Sequence, residues 1–228
     1  MFAVSTATIR RDIKLLEQQG AVVQTVGGGV LFRNPGNGSV AVDPRVSFIE
    51  EKIRIAEYCT ELIEEHDEIL IGPGTTAFLI GRILTGITDR KFRIITNSLE
   101  LAMEASATDN VQSVVLGGEV YARHSAGYTE HDDFFSTCHH KHRVILSADG
   151  IDPDHGITLF DPRFLNVLRK MVAVSRQVIL AADSSKIGKA CFNKIADLRD
   201  VSLLVTDAEV DPEFCRRSAE LGVPVVKV

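Results

Sequence analysis

Short, continuous apolar runs constrain this chain more than any other feature. "EILI" (68–71), "FRIIT" (92–96), "SVVL" (113–116), "RVILS" (143–147), "QVILAA" (177–182), "SLLVT" (202–206) and "VPVVKV" (223–228) do not alternate, and they are rich in Ile and Val. Strands of a parallel sheet read this way, because crossover helices bury both of their faces. Helix-like stretches lie between the runs at 76–85, 98–107, 164–175 and 212–221, and one more precedes them at 47–65, with Ile53, Ala56 and Ile63 among its apolar positions. The expected fold class is α/β with a mostly parallel sheet. A length of 228 residues leaves room for one such domain and a small appendage.

The appendage is the head of the chain. Ser5 or Thr6 can cap a helix in which Ile9, Ile13 and Leu16 recur at helical spacing, with Val4 as a staple residue before the cap. Gly20 ends that helix, and "AVVQTVGGGVLF" follows as two short β-prone runs around three glycines, a small hairpin in the position of a wing. "RNPGNGSVAVDP" (33–44) concentrates Pro, Gly, Asn and Ser as linkers do. The expected divisions are therefore 1–33, a linker at 34–46, and the α/β domain at 47–228.

Charge is divided along the same line. Arg10, Arg11, Lys14 and Arg33 against Asp12 and Glu17 give the first 33 residues +2, within a total of −6 that leaves −8 on the rest. A basic head on an acidic body suits an anionic partner at one end. With Ile9, Ile13 and Leu16 turned inward, Thr6, Arg10, Arg11 and Lys14 face outward, and Thr8 lies between the two sides. Arginine can read a guanine edge with two hydrogen bonds, while Lys and Thr suit phosphates. The plainer alternative is a solvated amphipathic helix, and the glycine wing beside it favours DNA.

No apolar run approaches the ~20 residues that cross a bilayer, and no signal-type segment opens the chain, so a cytoplasmic protein without membrane contact is expected. Cys59, Cys138, Cys191 and Cys215 are scattered without C-x-x-C spacing and read as reduced thiols.

Ligands of open α/β sheets bind at the carboxyl ends of the strands, and the residues there are polar. "GPGTT" (72–76) follows the first run and opens a helix: Gly72 and Gly74 let backbone N–H groups turn outward, Thr75 and Thr76 add hydroxyls, and the helix start favours an anion such as phosphate. An ordinary turn with a Thr cap is the alternative. Asn97 and Ser98 follow "FRIIT" and either cap the next helix or reach a ligand. Gly117, Gly118 and Glu119 follow "SVVL", where the glutamate can orient a hydroxyl or simply belong to a turn. In "ADGID" (148–152), Asp149 and Asp152 flank Gly150, fitting sugar hydroxyls, acid/base work or an Asx turn. "DSSKIGK" (183–189) sets Asp183 and Lys186 within one turn, and that lysine can meet a phosphate or carboxylate. Anion donors and hydroxyl acceptors on one sheet edge point to a small phosphorylated polyol or sugar. "CHHKH" (138–142) supplies Cys138, His139, His140 and His142, but adjacent histidines diverge and no second ligand pair follows. Neither a metal nor a cofactor is expected.

Over nearly its whole length the chain resembles the DeoR family of bacterial transcriptional regulators of sugar catabolism. "VSTATIRRDIKLLEQQG" is similar to the family's recognition-helix signature, and "EKIRIA" (51–56), "GPGTT", "ITNSLELA", "LGGE", "ADGID" and "ADSSKIGK" follow in its order. The resemblance implies a homo-oligomeric repressor, dimer or tetramer, that binds operator DNA. It also implies a C-terminal domain similar in fold to ribose-5-phosphate isomerase, in which a phosphorylated sugar alters operator binding. Gly74, Thr75 and Thr76 would hold the phosphate, and Asp149, Asp152, Asp183 and Lys186 would line the rest. Three departures stand out. The helices that precede the signature in the family are missing here, which makes the winged helix-turn-helix partial. Leu159 and Asn166-Val167-Leu168 replace the family's Thr and Glu-Val-Lys, suggesting another effector or weaker binding, and Val26 replaces a wing histidine. Two other readings are a sugar-phosphate isomerase using Asp149 or Asp152 as acid/base, and an effector-binding domain without DNA binding. Fold likeness alone does not transfer activity, and isomerase chemistry gives no reason for a basic helix and wing.

Overall fold

The computed structural model describes residues 47–121, 126–128, 134–137 and 142–228, and the backbone of 22–24 and 30–32. The chain divides into two compact units, Met1–Ile49 and Glu50–Val228. In the first, β1 (Val22–Gln24) pairs antiparallel with β2 (Val30–Phe32), with Val22 opposite Phe32. This is the hairpin anticipated around the three glycines. The anticipated helix, with Thr6, Thr8, Arg10, Arg11 and Lys14, lies outside the described residues, as does the whole of 33–46.

The second unit is built on seven parallel strands: β3 (Glu68–Ile71), β4 (Phe92–Thr96), β5 (Val111–Val115), β8 (His142–Leu146), β11 (Ser175–Ala181), β13 (Leu203–Thr206) and β14 (Val225–Lys227). Their order across the sheet is β14-β13-β11-β8-β3-β4-β5. Every anticipated run supplies one strand, displaced by a residue or two at some ends. Ile69, Leu70, Ile71, Ile94, Ile95, Val144, Ile145, Leu146, Ile179 and Leu180 are wholly buried, as strands covered on both faces must be. The chain enters at β3, adds β4 and β5 on one side, then crosses to β8 on the other. Between β3 and β8 the direction of winding therefore reverses, and crossover loops diverge there to leave a crevice at the carboxyl ends.

Among the described residues five α-helices accompany the sheet: α1 (Ile49–Glu61), α2 (Thr75–Thr85), α3 (Leu99–Ser106), α4 (Leu165–Ala173) and α5 (Pro212–Glu220). α3 packs on β4 and β5. Asp211 caps α5 by accepting from the Glu213 N–H at 2.9 Å, with Pro212 in the first turn.

Sequence periodicity did not anticipate a smaller antiparallel sheet, β9 (Gly150–Asp152), β10 (Gly156–Leu159) and β12 (Asn193–Ala196), in the order β12-β10-β9. Nor did it anticipate the pair β6 (Glu119–Tyr121) and β7 (Ala126–Tyr128). These strands have three or four residues each, too short for an alternation to register.

Candidate functional site

A cavity of about 280 Å³ opens at the crevice. Its walls come from the segments that follow β3, β8 and β11, together with α1 and the residues after β10. Gly74, Thr75, Thr76, Asp149, Asp183 and Lys186, all anticipated from the sequence, line it.

The phosphate-type wall is the start of α2. Gly74, at φ +120°, precedes the helix in a conformation that L side chains avoid, and a Cβ there would sit 3.1 Å from the Ser147 Cβ. No side chain of its own caps the helix; the Ser147 Oγ, from the end of β8, accepts the Ala77 N–H at 3.1 Å. Phe78 N–H bonds the Gly74 carbonyl at 2.8 Å. That leaves the N–H groups of Thr75 and Thr76 without a hydrogen bond among the described residues, at the positive end of a helix dipole. Gly72 is buried one step behind the lining, where a Cβ would lie 3.0 Å from Leu146 Cδ2 and 3.1 Å from Leu168 Cδ2.

Facing residues supply charge. The Asp183 carboxylate is 1% exposed; its Oδ1 accepts from the Ser185 N–H at 3.2 Å and from the Ser185 hydroxyl. Lys52 Nζ lies 3.6 Å from Asp183 Oδ2. Lys186 is half-buried; its backbone N–H donates to the Asp183 carbonyl at 3.0 Å, and its side chain makes no ion pair or hydrogen bond among the described residues. Asp149 Oδ2 accepts the Phe160 N–H at 2.9 Å. Asp161 is held by Arg163, whose Nε donates to Oδ1 at 2.8 Å. Gly150 fixes the loop bearing Lys186: a Cβ there would approach the Lys189 carbonyl and Thr158 Oγ1 to 2.7 Å, so only glycine lets that loop lie against β9. Close by, burial raises the Cys191 thiol pKa; the Asp149 charge adds to this, while a Thr158 hydrogen bond and the Lys186 charge oppose it.

Other anticipated residues lie away from the cavity lining. Asn97 is wholly buried, donates from Nδ2 to the Gly127 carbonyl at 2.9 Å and so ties β4 to β7; its Oδ1 has no partner among the described residues. Ser98 caps α3 by accepting the Leu101 N–H at 3.3 Å. Gly117, Gly118 and Glu119 are exposed, and Glu119 accepts from the Tyr128 hydroxyl, an interaction that raises the tyrosine pKa. Asp152 builds an Asx turn: its Oδ1 accepts from the N–H groups of Asp154 and His155 and contacts His155 Nδ1 at 2.8 Å. Burial would raise its pKa, and these bonds outweigh that to leave it lowered. Cys138, His139 and His140 lie outside the described residues, and His142 opens β8. Among the described residues no group of three or more His, Cys, Asp or Glu side chains is placed to hold a metal, and Cys59, Cys191 and Cys215 are free thiols.

Strand-end reasoning overlooked Lys52, Ser147 and Asp161. Lys52 did carry a signal: it falls on the stripe with Ile55, Ala56, Cys59 and Thr60, where a helix normally places apolar residues. Asp161 precedes a proline, the mark of a capped turn.

Comparison with known proteins is consistent along the chain. Residues 47–208 match the family model of the DeoR C terminal sensor domain, and residues 1–34 that of the DeoR-like helix-turn-helix domain. The HTH-type transcriptional repressor GlcR of Bacillus subtilis is 30% identical over 226 residues, covering 99% of this chain and 86% of that protein. The transcriptional repressor AccR of Agrobacterium fabrum is 31% identical over 227 residues, covering 95% and 86%. The glycerol-3-phosphate regulon repressor of Escherichia coli is 30% identical over 207 residues, covering 91% and 81%. Among solved structures, ribose 5-phosphate isomerase A from Neisseria gonorrhoeae aligns at a TM-score of 0.42 and 19% identity over 60% of this chain, which spans about half (52%) of the isomerase's length. The relatives are transcriptional regulators, not enzymes, and the chain belongs to the DeoR family of DNA-binding transcriptional regulators, with the cavity inside its sensor domain.

Proposed function

We propose that the cavity binds a phosphorylated sugar or polyol, and that its occupancy controls how the protein represses a carbohydrate operon. One observation carries this: the unbonded N–H groups of Thr75 and Thr76 share a cavity with Lys186. Backbone donors at a helix start together with a mobile ammonium suit the oxygens of a phosphate. Asp149 is then the acceptor for a sugar hydroxyl, and Asp183 lines the same cavity. Asp152, Asn97, Ser98 and Gly117-Gly118-Glu119 act through the framework around the cavity, and Gly72 and Gly150 by admitting close backbone approach. A relative named for a glycerol-3-phosphate regulon favours a ligand of the same chemical kind.

In this reading residues 1–33 are the DNA-binding unit, 34–46 a linker and 47–228 the sensor. Thr6, Thr8, Arg10, Arg11 and Lys14 face operator DNA in the cytoplasm, and two or four copies assemble so that effector and operator favour different arrangements of one oligomer. The test is a panel of glycerol 3-phosphate, ribose 5-phosphate, glucose 6-phosphate and their unphosphorylated parents, read by thermal shift. A phosphorylated compound raises the melting temperature where its parent does not, and changes retention of an operator fragment. Equal responses to both forms, or turnover of ribose 5-phosphate that Asp149→Asn abolishes, would overturn it.

A further inference from the structure

The two outer strands of the large sheet are guarded differently. β14 has three residues, follows Pro224 and carries Lys227; a short strand with a proline and a charge resists pairing with another chain. β5 has five residues, Val111–Val115, with no charge, no proline and no register shift against β4. In a strand, the backbone N–H and C=O groups of successive residues point to opposite sides. The Asn110 carbonyl accepts from the Phe92 N–H at 3.0 Å and the Leu116 N–H donates to the Thr96 carbonyl at 2.8 Å, so even-numbered residues bond inward to β4. The backbone groups of Val111, Ser113 and Val115 therefore face outward, and they make no hydrogen bond among the described residues. Val115 is 44% exposed, and Met103 on α3, the helix packed on β5, is 74% exposed. An uncharged open strand of this kind is a template for another strand.

We infer that β5 pairs antiparallel with β5 of a second copy of the chain about a two-fold axis at Ser113, which makes this side of the sheet a homodimer interface. That register sets Ser113 opposite its own copy and Val111 opposite Val115 of the second copy. Every outward N–H then meets an outward C=O, as the hydrogen-bonded pairs of an antiparallel ladder require. No like charges are opposed within the strand, because it carries none. Asp109, just before it, falls opposite Gly117 of the second copy, a position with open space around it. Val115 and Met103 supply apolar area that backbone pairing alone lacks. The pairing also closes on itself: a two-fold uses up both open strands and leaves the guarded β14 strands outside, so it yields a dimer and not a fibre. The inference rests on the reading that copies of the chain assemble, and it is independent of the ligand.

Sedimentation of the full chain over a concentration series, with residue-resolved amide hydrogen exchange on the same samples, tests this. The parent sediments as a dimer or tetramer in which the amides of Val111, Ser113 and Val115 are protected. Dilution that dissociates it releases those three, while Gln112 and Val114, held by β4, stay protected. Ser113→Pro removes the central outward donor from both copies at a place where an outer strand tolerates proline. It raises the dissociation constant of this interface about 30-fold or more, the scale of two lost hydrogen bonds. Ser113→Lys sets two ammonium groups against each other across the axis, weakens the interface in the same direction, and decides if the proline variant does not fold. A parent that is monomeric at every concentration overturns this inference and the assembly reading together. An assembled parent whose Val111, Ser113 and Val115 amides exchange freely, or whose dissociation is unchanged in both variants, overturns this inference alone, since the copies then meet through another surface.

Discussion

The two edges of the large sheet carry charge in opposite ways. At the amino edge Arg143, at the start of β8, donates to the Leu62 carbonyl at 2.7 Å, to Glu64 at 2.8 Å and to Asp67, while Arg176 approaches Asp67 at 3.5 Å. Next to it Arg93 on β4 meets Glu68 on β3 at 2.7 Å, directly across the register. Among the buried side-chain atoms described there, the Nε atoms of the two arginines lack a partner. At the carboxyl edge the helix start is open and the Lys186 side chain is unpaired among the described residues. Charges that close on one another hold strands together. In the reading proposed above, charges left open around a cavity meet a ligand.

The largest test of this division is Arg143→Met. Its side chain is 11% exposed and that of Asp67 12%, so the substitution strands a nearly buried carboxylate. Breaking a buried pair from one side costs about 3 kcal/mol, the low end of the usual range because Glu64 is exposed and Arg176 remains near. For a domain of this size that lowers the melting temperature by roughly 6–12 °C. Phosphate affinity stays the same once folding is accounted for. A loss of affinity without a loss of stability would show that the amino edge belongs to the site.

Lys186→Ala probes the opposite edge. Removing it weakens sugar-phosphate binding by about 10- to 100-fold, the effect of one charge-assisted contact. Since it closes no pair in the empty protein, stability shifts by less than about 0.5 kcal/mol, as at ordinary surface sites. Calorimetry and a thermal melt on the same sample separate the two quantities. A destabilised variant with normal affinity would exchange the roles of the edges.

Much of this was legible in the residues. The apolar runs give the sheet because period and length decide strand burial, and polar strand ends mark the cavity because the fold exposes those ends. Sequence could not separate Asp149 from Asp152, which flank one glycine: the first lines the cavity, while the second turns back onto the amides of Asp154 and His155. That choice depends on the β9–β10 turn, whose strands were too short to read. Asn97 and Ser98 show the same limit, since capping and ligand binding draw on the same side chains and only tertiary position separates them. Lys52 was passed over because it precedes the sheet by sixteen residues, counted to Glu68, and only packing brings it to Asp183.

The smallest effect concerns acid, and it measures how far the closed edge is electrostatic. Hydrogen bonding to Arg143, and then its charge, lower the Glu64 pKa. A carboxyl group whose pKa is depressed in the folded state adds stability above its unfolded pKa and loses it as the pH falls through the folded one. The parent should therefore be more stable than Glu64→Gln at pH 7, and the gap should close as the pH drops through and below about 4, where unfolded carboxyl groups take up protons. Asp197 and Glu213 are lowered in the same way by Lys194 and Arg216, so both proteins lose stability in acid and only the difference between them belongs to Glu64. That difference is small, because the glutamate side chain is 77% exposed and salt screens it. Melting curves at pH 7 and at pH 3.5, each with and without 0.5 M salt (roughly a 4 Å screening length), isolate it. A gap that persists unchanged in acid and in salt would mean that Glu64 holds the amino edge by shape rather than by charge, and the contrast between the edges would then rest on Asp67 and Arg143 alone.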